Sequence, residues 1–315
     1  MASYTAVSDI GGTNLRVALM NKARCIVDRE RVDTPKNATP EQIVRLVLDL
    51  TQLMLNRHPT KADVSTLVLG VPGIVDHDRG VVVKNANLGW HHVPLVSIFQ
   101  QIVDYPVIIE NDVRLHTIGY MASPGVVMPE DWMYVAIGTG VAAGIVSNGR
   151  LIGGAHNMAG ELGHLTLEPR GSLCGCGKRG CLETVCGVKG LRVLWRKYIG
   201  NQSFDFQTLA SPQSQHGDLF EAVAKIWTRF AEALGWALSV ASALIDPAVI
   251  VLGGGLASTY TIWESSLNAT MERFLIPSVP RPTIQISHLG DDAPLLGGWA
   301  LAHTMYEGKP YPEMQ

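Results

Sequence analysis

The chain has 315 residues, 47% of them hydrophobic and 17% charged, with a formal net charge of −3. That length allows two domains with real cores, and that composition excludes a disordered chain. No basic block suggests a nucleic-acid partner, no basic amphipathic helix suggests a membrane surface, and no apolar run approaches a membrane span. The opening MASYTAVSDIGG has neither a charged n-region nor an apolar h-region, so no signal peptide is expected. Five cysteines, three of them clustered, fit a reducing cytoplasm better than a disulfide framework.

In chain order, residues 6–10 predict a strand, Gly11-Gly12-Thr13-Asn14 a tight turn and residues 15–20 a returning strand. A turn at 21–23 leads to a third strand over 24–28. After Thr39-Pro40, the apolar residues Ile43, Val44, Leu46, Val47, Leu50, Leu53 and Met54 recur at helical spacing. Residues 67–71 and 107–109 read as buried strands, ending at Pro72-Gly73 and at Glu110-Asn111-Asp112. Residues 132–137 predict another strand, then Gly138-Thr139-Gly140, a returning strand over 141–146 and a turn at Asn148-Gly149. The pattern strand, Gly/Thr turn, strand therefore occurs twice, as VSDIGGT and as VAIGTG, and suggests two related domains. Further on come a helix at 188–199, a flexible loop at 204–216 and a long helix at 218–245 that ends at Asp246-Pro247. A strand at 248–252 runs into Gly253-Gly254-Gly255. A helix at 258–275, a strand at 283–288 and a helix at 294–305 complete the chain.

The densest chemistry lies between Gly160 and Glu183. Cys174, Cys176 and Cys181 fall on a Gly-rich loop that bends easily around one ion, and His164 lies ten positions upstream. Zinc takes four such ligands tetrahedrally. Cys186 in place of His164 would make an all-thiolate site. Glu161 and Glu183 bracket the cluster, and a structural zinc knuckle has no need of them. The turns at Asp9 to Asn14 and at Gly138 to Gly140 offer backbone N–H groups to phosphate oxygens, or are plain hairpin turns. Gly138-x-Gly140-x-x-Ala143 satisfies a dinucleotide fingerprint, but a strand follows it where that fingerprint needs a helix. No GxxxxGK[ST] occurs. Asp112, at the end of a buried strand, is either a general base for phosphoryl transfer or the N-cap of the next helix.

These segments resemble the ROK family of repressors, open reading frames and sugar kinases. Glu161, Gly163, His164, Cys174, Cys176, Gly177, Gly180, Cys181 and Glu183 match its signature, and Glu110-Asn111-Asp112 its E-N-D motif. Gly70-Val71-Pro72-Gly73 and Asn87-Leu88-Gly89-Trp90 match its sugar-side segments, and Gly253-Gly254-Gly255 its adenosine-side loop. The residues after Asp112, Val-Arg-Leu-His, depart from the small-residue run usual there, and Ala142-Ala143 replaces a common glycine pair.

The resemblance implies an α/β, two-domain, actin-like ATPase (ribonuclease H-like) fold with an interdomain cleft and a zinc-binding loop. The expected domains are residues 1–115 plus 296–315, and residues 116–295. It implies an ATP-dependent sugar kinase, with glucose expected as substrate because the NLGW segment with Pro94-Leu95 and the intact Glu161 look like the glucokinase branch. N-acetylmannosamine, allose, mannose and fructose are the alternatives. Asp112 would be the catalytic base, with Gly73, Asn87, Asn111, Asp112, Glu161, His164 and Glu183 around the sugar. ATP would meet Asp9, Gly11, Gly12, Thr13, Asn14, Gly138, Thr139, Gly140, Gly253, Gly254 and Gly255, with Mg2+ bridging its phosphates and Asp9 an outer-sphere partner. His164, Cys174, Cys176 and Cys181 would hold structural Zn2+. Closure of the cleft would exclude water, and a homodimer or homotetramer in the cytoplasm is expected. The other class of function, a sugar-responsive repressor, is disfavoured because the first Gly-rich turn begins at Asp9 and leaves no room for a helix-turn-helix segment.

Overall fold

A computed structural model of the chain describes residues 2–58, 62–212 and 216–306. β1 (Ala2–Ile10), β2 (Asn14–Met20) and β3 (Ile26–Asp33) form an antiparallel meander. From Tyr4 to Ile10 every residue of β1 is buried, as suits a central strand covered on both faces. Thr39 caps α1 (Pro40–Asn56) through a reciprocal pair of hydrogen bonds with Gln42, and Pro40 opens the helix. α1 lays Ile43, Val44, Val47, Leu50 and Met54 into the core.

β4 (Ala62–Val71) follows, then a small antiparallel sheet of β5 (Ile74–Asp76), β6 (Val81–Asn85) and β7 (Trp90–Val93). After α2 (Leu95–Gln100) comes β8 (Val107–Asn111), and the main sheet has the order β3–β2–β1–β4–β8. β4 runs parallel to both β1 and β8. α3 (Asp112–Met121) leaves directly from β8.

The second half opens with β9 (Trp132–Ile137), β10 (Val141–Ser147) and β11 (Arg150–Leu151). Short α4 (Glu183–Cys186) leads into α5 (Val188–Tyr198), α6 (Phe206–Ala210) and the 29-residue α7 (Gly217–Ile245). Asp246, with a left-handed φ of 51°, ends α7 just before Pro247. β12 (Val249–Gly253), α8 (Tyr260–Phe274), β13 (Thr283–Ile286) and α9 (Ala293–Tyr306) follow. The second sheet has the order β11–β10–β9–β12–β13. β9 and β10 form a hairpin with β12 parallel to β9, as β1 and β2 form a hairpin with β4 parallel to β1. The internal repeat is thus a repeat of structure. Val223, Trp227, Phe230 and Leu234 on one face of α7 fill the second core.

The chain divides into two compact units, one running to Met128 with Gly149–Ala159 and the stretch from Asp291, the other Pro129–Asn148 with Gly160–Gly290. The break expected after Leu115 falls inside α3, which belongs whole to the first unit. The reason is its close packing on α9. A Cβ on Gly297 would meet the Leu115 carbonyl oxygen, and one on Gly119 the Ala293 carbonyl oxygen. Gly297→Val is therefore expected to lower the urea midpoint, with an overpacking cost of about 1–3 kcal/mol. An unchanged midpoint would mean the two helices separate without cost. Residues 213–215 of the expected loop and 307–315 of the expected first domain lie outside the described residues.

Two other expectations are corrected. Residues 206–210 of the expected flexible loop are helical, because Asp205 caps them by accepting from the Gln207 and Thr208 N–H groups. The helix expected at 258–275 begins as a 3-10 turn, Gly255–Thr259, and becomes α-helical at Tyr260. No helix among the described residues is long and apolar enough to cross a membrane.

Candidate active site

In the first unit, the Gly-rich turn joins β1 to β2, with Gly12 and Thr13 exposed. Thr34 pins it from behind, donating its hydroxyl to the Gly11 carbonyl (2.7 Å) and its N–H to the Thr13 carbonyl (2.9 Å). The Asn14 carbonyl accepts from Gly11, and the Asn14 side chain accepts from Arg31. The hairpin register sets Asp9 opposite Arg16, whose guanidinium donates to Asp9 Oδ2 at 2.9 Å and meets Asp291 at 2.8 Å. Burial pushes the Asp9 carboxyl up, and Arg16 pulls against that shift. Arg16 was absent from the sequence reading, although hairpin register counted back from the turn pairs it with Asp9.

Asn87 lies against this turn, since a Cβ on Gly12 would fall 2.9 Å from Asn87 Cβ. At the end of β8, Asn111 Nδ2 donates to the Gly73 carbonyl at 2.9 Å, and Asn111 Oδ1 accepts from the Arg114 N–H at 3.1 Å. Asn111 is therefore the N-cap of α3, and Asp112 is its first helical residue. The capping alternative for Asp112 is assigned to its neighbour. Beneath them Glu110, fully buried, accepts from the Asn111 N–H at 2.7 Å and faces Arg114 at 3.4 Å. Burial raises its carboxyl and Arg114 opposes the rise. Asp9 to Asn14, Gly73, Asn87, Asn111 and Asp112 thus gather on one unit.

In the second unit, the turn Gly138-Thr139-Gly140 is closed by Gly138 N–H donating to the Gly140 carbonyl at 2.9 Å. The Gly138 carbonyl in turn accepts from Val188 N–H at 3.0 Å, at the start of α5. Gly254, with φ of 82°, lies against the Ile137 carbonyl at the end of β9, so the Gly253–Gly255 loop borders the same turn. Glu183 Oε2 accepts from Val141 N–H at 3.2 Å, and its side chain packs on Gly140. A carboxylate read as sugar-facing is thus also joined to the phosphate-type turn.

His164, Cys174, Cys176 and Cys181 converge, with all four donor atoms within 4.8 Å of one another. Cys176 Sγ to Cys181 Sγ is 3.7 Å, and Cys174 Sγ to His164 Nδ1 is 3.6 Å. Metal bonds of about 2.3 Å to sulfur and about 2.0–2.1 Å to nitrogen give tetrahedral edges of about 3.8 and 3.6 Å. The donor set therefore fits one tetrahedral ion. Burial and the neighbouring thiols push the Cys181 thiol up to about 12, and a cation supplies the charge that makes such thiols thiolates. Cys186 is elsewhere, buried with its thiol donating to the Phe230 carbonyl. The far ring nitrogen of His164 is 3.6 Å from Glu161, and Cys174 Sγ is 3.8 Å from Glu183. Burial raises the Glu161 carboxyl, His164 opposes the rise and Glu183 adds to it. Both carboxylates therefore sit directly on the cluster.

The ROK family profile matches residues 5–305. The chain belongs to the ROK family. Its architecture is the actin-like, ribonuclease H-like one. It is 30% identical to a glucokinase from Halalkalibacterium halodurans, over 92% of each chain. It is also 30% identical to an N-acetylmannosamine kinase from Escherichia coli, over 95% of this chain and 98% of that one. Among solved structures, a ROK family glucokinase from Streptomyces griseus in complex with glucose and AMPPNP is 27% identical, covering 96% of this chain and 99% of that one, with a TM-score of 0.80.

Proposed function

We propose that this chain is an ATP-dependent hexose kinase that converts glucose to glucose 6-phosphate. Asp112 takes the proton of the attacking sugar hydroxyl. That oxygen then bonds to the γ-phosphorus, and the bond to the ADP oxygen breaks. Asp112 suits the role because it stands directly after β8, at the carboxyl end of a parallel strand, where α/β sheets bind their ligands. The exposed Gly/Thr turns of the two units supply backbone N–H groups to the phosphates, and Gly253–Gly255 borders the nucleoside. Mg2+ would neutralise the phosphates when bound, with Asp9 beside it. His164, Cys174, Cys176 and Cys181 would hold zinc, whose contribution is to stiffen the loop.

The observation that carries the glucose reading is the pair of carboxylates, Glu161 and Glu183, held on either side of the His164–cysteine cluster. Carboxylates accept hydrogen bonds from ring hydroxyls and offer no donor to an acetamido carbonyl. A site built on hydroxyl bonds can reject an analogue lacking one by roughly 10⁴–10⁵. Asn87, Asn111 and Gly73 complete the sugar side. The E. coli relative favours a second reading, an N-acetylmannosamine kinase.

An ADP-release assay over a panel of hexoses separates the readings. Glucose is expected to give the highest kcat/KM, with N-acetylmannosamine at least about a hundredfold lower. If N-acetylmannosamine or allose leads, the glucose reading falls and the kinase reading stands. Sugar binding without phosphoryl transfer to any hexose would move the chain to the regulator class.

A further inference from the structure

Asn85 is not among the residues that the family motifs single out, yet three of them converge on it. It ends β6 and is almost fully buried. Its Oδ1 accepts from two backbone N–H groups, those of Asn87 (3.0 Å) and Leu88 (3.1 Å). This Asx-type turn sets the direction of the exposed Asn87, which lies against Gly12 of the phosphate-type turn. On its other side, the backbone of Asn85 abuts Gly73. A Cβ on Gly73 would fall 3.2 Å from Asn85 Cα and would meet the Lys84 carbonyl oxygen. The Gly73 carbonyl is in turn the acceptor for the Asn111 amide. Asn85 Nδ2 is buried and has no hydrogen-bond partner among the described residues. A buried unpaired amide is costly and calls for an explanation, and here the value of the side chain lies in its oxygen alone.

We infer that Asn85 is a positioning residue for sugar recognition, fixing Asn87 and buttressing Gly73 beneath Asn111. This inference rests on the kinase reading above, in which Asn87, Gly73 and Asn111 face the sugar. It makes Asn85 a determinant of sugar KM without any contact to the sugar.

The test compares Asn85→Ala with Asn85→Asp, an isostere that keeps the acceptor and gives up no existing hydrogen bond. Hydrogen exchange at the Asn87 and Leu88 amides needs no substrate. Protection is expected to drop at least tenfold in the Ala variant and to persist in the Asp variant. In steady-state assays, the Ala variant is expected to raise the sugar KM at least tenfold while the ATP KM stays within about twofold. The Asp variant should keep both within about threefold. Lost protection with an unchanged sugar KM overturns the inference, because the residue is then purely structural. A raised sugar KM in an Asp variant whose amides remain protected overturns it as well. Should the Ala variant not fold, Asn85→Ser is put through the same pair of measurements, with intermediate protection and intermediate KM expected and uncorrelated values counting against. Failure of the kinase reading itself shows separately, as absence of sugar-dependent ADP release by the unaltered protein.

Discussion

Asp112→Asn is expected to fold normally, to bind sugar and ATP, and to lose kcat by at least about a hundredfold, since general-base catalysis contributes about 10²–10⁴ in rate. The structural alternatives for Asp112 are few. Asn111 already caps α3, with its Oδ1 on the Arg114 N–H, so the cap survives the substitution. Asp112 also accepts from the Val113 N–H at 2.9 Å, a bond that an Asn side-chain oxygen can keep, and it places a negative charge in the first helical turn, worth about 0.3–1 kcal/mol at such a position. Loss of that charge would lower the melting temperature slightly and leave turnover untouched. The two roles thus separate by measurement: kcat reports the base and thermal unfolding reports the dipole. Turnover near that of the unaltered protein would remove Asp112 from the chemistry. A kcat loss with unchanged KM values for both substrates would mark an interaction made only in the transition state.

What the sequence shows most plainly is what has a fixed local period or spacing. The two hairpins with Gly turns, the apolar stripe of α1 and the four-donor set were all visible because each is set by neighbours within a few residues or by a strict pattern. The sheet of β5, β6 and β7 was not. Its strands are three to five residues long and are broken by Gly73, Gly80 and Gly89, each with positive φ, so they read as turns. Asn85 was hidden with them. The boundary after Leu115 also failed for a reason outside local pattern, since only the packing of Gly297 and Gly119 shows that α3 and α9 belong together. Glu110 and Arg114 are charged residues that a sequence reading places at the surface. The structure buries both as a pair, four residues apart across the start of α3.

One zinc ion per chain is expected from elemental analysis of the purified protein, and its removal by a chelator should destabilise the fold and abolish sugar binding together. The loop is bonded to itself at close intervals: Cys174 N–H to the Lys178 carbonyl, Leu167 N–H to Gly180, and Leu182 N–H to Leu165, each at 2.8 Å. The metal would therefore clamp a preformed loop, and the stretch it clamps carries Glu161 at one end and Glu183 at the other. A ligand present at about a thousand times its Kd stabilises the folded state by about 4 kcal/mol. For a unit of about 150 residues that corresponds to about 10 °C in melting temperature. Chelation should remove that increment and added zinc should restore it, with sugar binding following in step. Cys186→Ser should retain its zinc, because that thiol faces the Phe230 carbonyl and not the cluster. Cys181→Ser should lose the metal. If Cys186→Ser loses its zinc, or the purified protein holds none, the ligand set of His164, Cys174, Cys176 and Cys181 is wrong. If chelation lowers the melting temperature but leaves sugar affinity intact, the metal serves the fold alone, and Glu161 and Glu183 are held in place by the hydrogen bonds of the loop without it.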